Sequence, residues 1–193
     1  MNENSFDKEL LDANLIGAKS LDELYEKESL LVGVKLAKIV YKPIDGALDY
    51  QHLKAIHKYL FEDIYTFAGL DRYEAKIFAK FGKGSTIFTP YEKIPKVSKT
   101  LFDALKDENY FKNQSKEEFI KSMAIFMNGL NLLHPFREGN GRTQRVFMQY
   151  LAIYNGYQLN FNDIDSQEMT MASVYGARGD MRLLEKIFQK GLK

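Results

Sequence analysis

The sequence contains no cysteine and no tryptophan, and its 193 residues include only four prolines and three histidines. The lack of cysteine excludes disulfides, thiolate nucleophiles and cysteine-based zinc sites, and it is typical of a reducing compartment. No apolar run approaches the roughly 18 residues that a membrane-spanning helix needs. The polar start of the chain does not have the pattern of a signal peptide. We therefore expect a cytoplasmic protein that does not enter a membrane.

Neither sign of charge dominates the chain. Lys and Arg number 27 and Asp and Glu number 26, so no overall field favours direct binding to nucleic acid or to a membrane surface. The apolar fraction of 45% is ordinary for a globular protein. A chain of this length can bury a sizeable core, and we expect a single domain over residues 1–193.

Apolar residues recur at helical spacing along most of the chain. Residues 49–68 place them three and four apart, and Gly69 follows as a C-cap. Ser20 with Glu23, and Ser115 with Glu118, form capping boxes that predict two helix starts. The predicted helices are 20–40, 49–68, 91–107, 115–130, 141–155, 163–177 and 180–191, and the apolar segment 141–155 is predicted to be the buried central helix.

Residues 77–90 have a different pattern. The sequence IFAKFGKGSTIFTP places Gly82 and Gly84 between apolar and β-branched runs, which predicts a β-hairpin, the only strand pair expected in the chain. The predicted fold class is therefore all-α with one small β-hairpin.

The most informative segment is residues 134–145, HPFREGNGRTQR. His134 can accept a proton near neutral pH, and Glu138 can hold a hard cation when substrate phosphates share it. The Gly-Asn-Gly loop at 139–141 precedes a predicted helix, whose first N–H groups are unpaired and favour an anion.

Two arginines follow this loop. Arg142 and Arg145 are three residues apart, so they share a helix face, and guanidinium groups suit phosphate oxygens. A Walker-type phosphate loop is excluded, because the chain has no GxxxxGK[ST] sequence. A base, a metal ligand, an amide loop and two guanidinium groups together indicate chemistry on a nucleoside triphosphate.

The other two histidines do not extend this site. His52 and His57 are five residues apart and lie on different faces of the predicted helix. That spacing does not fit a metal site, so we interpret both histidines as structural.

Residues 134–145 resemble the signature of the Fic family, H-x-F-x-[D/E]-G-N-G-R-x-x-R. The resemblance continues in residues 52–69 and 83–88, and it covers roughly residues 10–190, which we take as the core of the domain. It implies a helical domain and the transfer of AMP from ATP to a Tyr, Thr or Ser hydroxyl of a target protein. The sequence matches every fixed position of the signature: His134, Phe136, Glu138, Gly139, Asn140, Gly141, Arg142 and Arg145.

The resemblance also implies a role for each position. His134 would be the catalytic base, Glu138 would bind Mg²⁺, and Phe136 would be a core anchor. The phosphates of ATP would bind to Gly139, Asn140, Gly141, Arg142 and Arg145. Asn140 would either touch an α-phosphate oxygen or fix the loop. Residues 77–90 resemble the Fic flap, whose strand edge would align a segment of the target protein. The predicted target-positioning residues of the flap are Lys83, Gly84, Thr86, Ile87 and Phe88.

Two other functions stay open from the sequence. A protein kinase like the Doc branch of the family is one, although Doc-type motifs carry Lys in place of the second glycine, and Gly141 argues against that branch. A nucleotide-binding module without turnover is the other, and the intact His134 and Glu138 argue against it.

The resemblance raises the question of inhibition as well. Many Fic proteins carry an inhibitory helix, [S/T]-x-x-x-E-[G/N], whose Glu would pair here with Arg145. Ser5 and Glu9 fit the first half of this pattern, but Leu10 follows, and the C-terminal Glu185 has Met181 where Ser or Thr is needed. The inhibitor would then be a separate small antitoxin protein, with this chain as the toxin of a toxin–antitoxin pair, or the N-terminus, or absent.

Overall fold

The computed structural model describes residues 3–78, 81–83 and 86–193, and for residues 3–6 and 83 it describes the backbone alone. The regular elements of this part of the chain are helices and one hairpin, which confirms the predicted all-α class with a small β-hairpin. The helices are α1 Glu3–Asp12, α2 Leu21–Tyr41, α3 Tyr50–Phe61, α4 Ile94–Asp107, α5 Lys116–Leu133, α6 Asn140–Tyr154, α7 Ser166–Ala177 and α8 Arg182–Gly191. Two 3₁₀ turns, Tyr91–Lys93 and Asn109–Phe111, flank α4, and the antiparallel strands are β1 Gly82–Lys83 and β2 Thr86–Ile87.

Two helices share the centre of the fold. Helix α5 contacts α4, α6, α7 and α8, while α6 also packs against α3. The ring of Phe147 on α6 lies 5.6 Å from that of Phe102 and 5.9 Å from that of Phe126, centroid to centroid. The prediction that the 141–155 helix is buried holds for most of α6 but not for its last turn, where Ile153 is 61% exposed because the helix has left the core.

Helix α3 ends at Phe61 and not at residue 68 as predicted. The reason lies in the backbone that follows. Leu15 donates its N–H to the carbonyl of Ile64 at 2.8 Å, and Thr66 donates to the carbonyl of Ala13 at 3.0 Å. These groups pair with an earlier segment of the chain instead of continuing the helix.

The helix starts follow their caps closely. Ser115 and Glu118 form a complete capping box at α5. Ser20 caps α2, but the Glu23 carboxylate accepts the N–H of Lys19, at 2.8 Å. Among the described residues, no helix combines the length and the apolar character that crossing a bilayer requires.

Candidate active site at the start of α6

The signature segment forms a short turn that joins α5 to α6. Helix α5 stops at His134, whose left-handed backbone (φ 42°, ψ 59°) precedes a proline that cannot continue the helix. Gly139 caps α6 with φ 78°, and a Cβ atom at this position would lie 2.3 Å from the Phe61 ring. Only glycine fits there, and the turn brings His134 and Glu138 to the same end of α6.

The first turn of α6 offers unpaired backbone donors. The Glu138 carboxylate accepts the N–H of Gly139 at 2.7 Å. The next N–H groups, those of Asn140, Gly141 and Arg142, belong to the first turn and have no partner within the helix. Together with the helix dipole, they favour an anion at this end of α6.

The side chain of Asn140 is occupied within the loop. Its Oδ1 accepts the N–H of Phe136 at 2.9 Å, and its Nδ2 donates to the carbonyl of the same residue at 2.7 Å. Phe136 is fully buried, as a core anchor would be. Asn140 therefore fixes the loop with its side chain, and its backbone N–H is the part that can meet a phosphate.

His57 supports the same loop from α3. It is fully buried, and its ring stacks on Phe136 with centroids 3.8 Å apart. Its Nδ1 accepts the N–H of Gly69 at 2.9 Å, so its Nε2 carries the proton and donates to the carbonyl of Glu138 at 3.0 Å. Burial lowers the pKa of His57 to about 3, so this histidine is a neutral support of the loop. His52 is also buried, and its Nε2 pairs with the carbonyl of Ile44.

Arg72 ties the end of α5 to the flap. Its side chain is fully buried, and burial lowers its pKa to about 10. Its Nε donates to the carbonyl of His134 at 2.9 Å, and its Nη2 donates to the carbonyl of Thr89 at 2.7 Å. Arg72 thereby satisfies a carbonyl at the end of α5 and fixes the backbone of His134 relative to the flap.

The flap covers the His134 ring. Phe88 is buried, and its ring lies parallel to the imidazole of His134, with centroids 3.7 Å apart. Phe88 also donates its N–H to the carbonyl of Phe81 at 3.0 Å, and Thr89 donates to the carbonyl of Leu132 at 2.9 Å. These contacts fix the base of the flap against the end of α5.

The register of the hairpin leaves one backbone edge open. Gly82 lies opposite Ile87, between the hydrogen-bonded pair of Phe81 and Phe88 and the pair of Lys83 and Thr86. Hydrogen-bonded and non-hydrogen-bonded pairs alternate in an antiparallel ladder, so the N–H of Ile87 points away from β1. The Ile87 side chain is 82% exposed. Of the predicted flap residues, Gly84 and the Lys83 side chain lie outside the described residues.

The two signature arginines have different surroundings. Arg142 places Nη1 2.5 Å from the Glu28 carboxylate and Nη2 3.3 Å from that of Glu138. Burial, and to a smaller extent Arg142, lower the pKa of Arg145, and no carboxylate of the described residues opposes that shift. Arg145 therefore has an uncompensated positive charge beside the loop. Burial also lowers the pKa of Arg137, and there the Glu9 carboxylate of α1 acts in the opposite direction.

A metal ion would find one carboxylate in the loop. Across residues 3–78, 81–83 and 86–193, no three His, Asp or Glu side chains form a group that could hold a metal by themselves. The Glu138 side chain is 34% exposed and lies beside the phosphate-favouring turn. This arrangement fits Mg²⁺, which commonly binds one or two carboxylates and shares substrate phosphates.

Comparison with known proteins agrees with this geometry. Residues 47–152 match the family model of the Fic/DOC family. The chain belongs to the Fic/DOC family. It is similar to the probable protein adenylyltransferase Fic of Escherichia coli K12, at 33% identity over 92% of this chain and 85% of that protein. It is also similar to the protein adenylyltransferase VbhT of Bartonella schoenbuchensis, at 33% identity over 93% of this chain, but it spans only 36% of that longer protein.

Solved Fic domains have the same fold. The N-terminal Fic domain of a putative cell filamentation protein from Bartonella quintana, with bound ADP, has a TM-score of 0.87 and 28% identity, covering 93% of this chain and 89% of that one. The BepC protein from Bartonella tribocorum, with bound AMPPNP, has a TM-score of 0.83 and 26% identity, covering 93% and 91%. Both neighbours of this chain are thus nucleotide complexes.

Several residues around the signature were missed in the sequence. Arg72 and Phe61 had no pattern of their own, since each is recognised only through a contact with a distant segment. Glu28 did have a signal, because it lies four residues from both Leu24 and Val32 on the buried stripe of α2. A carboxylate on an apolar stripe indicates a buried partner.

Proposed function

We propose that this chain is a protein adenylyltransferase that transfers AMP from ATP to a Tyr, Thr or Ser hydroxyl of a target protein. The observation that carries the proposal is that Glu138 and the two signature arginines lie at the start of α6, with His134 at the end of α5 across the same short loop. Adenylyltransferase relatives of similar sequence and nucleotide-bound neighbours of the same fold support it.

The phosphates of ATP would lie against the first turn of α6. Backbone N–H groups of 140–142 would receive the phosphate oxygens, and the uncompensated guanidinium of Arg145 would take the γ-phosphate. Glu138 would hold Mg²⁺ together with these phosphates, and the ion would offset the negative charge that collects on the leaving pyrophosphate.

His134 would act as the general base of the transfer. The target hydroxyl gives its proton to the imidazole as its oxygen bonds to the α-phosphorus. The bond from the α-phosphorus to the oxygen that bridges the β-phosphate breaks, and pyrophosphate leaves. Arg72 and Phe88 fix the backbone and ring of His134, so the base is held in place before the target arrives.

The flap would hold the target. The outward N–H of Ile87 can pair with an extended segment of a partner, which would bring one hydroxyl over the α-phosphate. We further propose that a small antitoxin protein inhibits this chain, because Arg145 has no carboxylate partner among the described residues.

The direct test is the mass added to a target protein. Lysate proteins incubated with the chain, ATP and magnesium should gain one adenylyl group. The His134→Ala variant should reduce labelling by about 10²–10⁴-fold, the usual contribution of a general base, and should keep its affinity for ATP. Undiminished labelling by the variant would show that another group is the base. A gain of phosphate would assign the chain to Doc-like kinases, and no gain would leave a binding module.

A further inference from the structure

Glu28 lies outside the signature, and its carboxylate nevertheless contacts a signature residue, Arg142. Its side chain is only 4% exposed, on the face of α2 that packs into the core. A buried carboxylate is costly unless its oxygens are paired. One oxygen of Glu28 lies 2.5 Å from Nη1 of Arg142, and the other accepts the hydroxyl of Tyr65.

Arg142 is consequently held on several sides. Its guanidinium lies over the Phe61 ring, 4.9 Å from the centroid, while Nη1 meets Glu28 and Nη2 meets Glu138. The contact to Glu28 is the shorter one, at 2.5 Å against 3.3 Å. Glu28 therefore holds the guanidinium more closely than Glu138 does.

The pair of Glu138 and Arg142 would behave differently without Glu28. Glu138 precedes the cap of α6, and its carboxylate already lies 3.3 Å from Nη2 of Arg142, near enough for the two groups to close into a tight ion pair. Such a pair would occupy the carboxylate that is the candidate metal ligand, and Arg142 would compete directly with a cation. In the structure, this competition is weakened because Glu28 binds Nη1 of Arg142 at 2.5 Å, and Nη2 stays 3.3 Å from Glu138.

We propose that Glu28 is a positioning residue that draws Arg142 away from Glu138 and so keeps the Glu138 carboxylate open to a magnesium ion. The inference rests on the proposed function, since it assumes that Glu138 holds the metal of a bound nucleotide. Tyr65 contributes to the same arrangement, because its hydroxyl donates a hydrogen bond to the second oxygen of Glu28.

Two effects of Glu28→Gln act in the same direction. The loss of the negative charge leaves Arg142 free to close on Glu138, and it also weakens the attraction of the site for a cation. The magnesium concentration that half-saturates the complex with ADP should therefore rise by about tenfold, the size of one lost charge-assisted contact. Tyr65→Phe keeps the carboxylate and should raise it only about threefold.

The measurement is calorimetric titration of ADP binding at a series of magnesium concentrations, with AMP transfer followed separately. Glu26→Gln is the matched control, because it removes an exposed carboxylate from the same helix. Thermal unfolding of each variant reports whether the fold is kept, and Glu28→Asp should restore part of the magnesium response.

The outcomes separate the inference from the proposed function. An unchanged magnesium requirement in a folded Glu28→Gln variant would overturn the inference. A lower requirement would overturn it as well, and would mean that Glu28 withholds Arg142 from the phosphates. If Glu28→Gln does not fold, the magnesium requirement of Tyr65→Phe is the test, and an unchanged or lower value would overturn the inference. Absence of AMP transfer by the unaltered chain would count against the proposed function alone.

Discussion

Two hydrogen-bond donors contact the Glu138 carboxylate. It accepts the N–H of Gly139 at 2.7 Å and faces Nη2 of Arg142 at 3.3 Å. Both donors meet the same oxygen, Oε1, so one of the two carboxylate oxygens is engaged before any nucleotide arrives. A cation would have only the remaining oxygen of this one carboxylate, so it would bind only together with the phosphates of a nucleotide.

Replacing Glu138 by Gln should weaken magnesium-dependent nucleotide binding and leave metal-free binding nearly unchanged. The amide keeps an oxygen for the Gly139 N–H but loses the charge that attracts the cation. ATP affinity should fall by about tenfold with magnesium and by less than about twofold with EDTA. Calorimetry under both conditions measures this, with the exposed Glu117→Gln as the control. An equal loss with and without magnesium would mean that Glu138 supports the loop instead of holding metal.

At the residue scale, the sequence identified the groups of the site but not how each is used. The sequence left Asn140 as either a phosphate contact or a support of the loop, and its side chain bonds to the Phe136 backbone. His57 was interpreted as structural, and its contact with Glu138 crosses 81 residues of sequence. No local pattern reports such a contact. The catalytic, phosphate and metal roles of the signature residues stay predictions.

At the scale of elements, the hairpin is the part of the site that faces outward. The end of the hairpin that joins the domain is fixed, because Phe88 stacks on His134 and Thr89 donates its N–H to the end of α5. Ile87 presents its side chain to solvent. A hairpin that is fixed to the domain and has an open strand edge suits the pairing of an added strand. The edge is set by the register, which the glycines at 82 and 84 did not specify.

Ile87→Pro should abolish target labelling and leave nucleotide affinity within about twofold of the unaltered chain. Proline removes an N–H that points away from β1, so the hairpin itself loses no hydrogen bond, whereas an added strand loses its donor. Ile87→Ala is the matched control, because it removes most of the side chain and keeps the N–H. Labelling of the target and ATP affinity would be measured for both. Normal labelling by the proline variant would reduce the flap to a cover over His134.

Helix boundaries illustrate where sequence patterns stop being informative. The apolar spacing of 49–68 is real, since Ile64 and Phe67 are buried. The helix nevertheless ends at Phe61, because residues 13–15 compete for the backbone groups of 64–66. Helix α1 has a polar sequence and was not predicted. For α3, the deciding contacts come from a distant segment.

At the scale of the whole molecule, α1 bears on inhibition. Glu9 acts on Arg137, whereas Arg145 has no carboxylate partner among the described residues. Leu10 of the same helix is 2% exposed, so α1 is anchored in the core. The Ser5–Glu9 pattern thus lies on α1, and the charge of Glu9 opposes the effect of burial on the pKa of Arg137, a different arginine from Arg145. The expectation of one domain over residues 1–193 stays a prediction.

The unaltered chain should therefore label a target without an activating mutation, and a separate helix should silence it. A peptide with Ser-x-x-x-Glu-Gly would place its Glu on Arg145 and occupy the γ-phosphate position. AMP transfer should fall by about tenfold or more, as for one lost charge-assisted contact, and the same peptide with Gly for Glu should have no effect.

Transfer by Glu9→Gly should stay within about twofold of the unaltered chain, since Arg137 and not Arg145 lies in the field of Glu9. This substitution is a cleaner comparison than removal of residues 1–12, because it leaves Leu10 in the core. A silent chain that Glu9→Gly switches on would make α1 the inhibitor and remove the need for a separate partner.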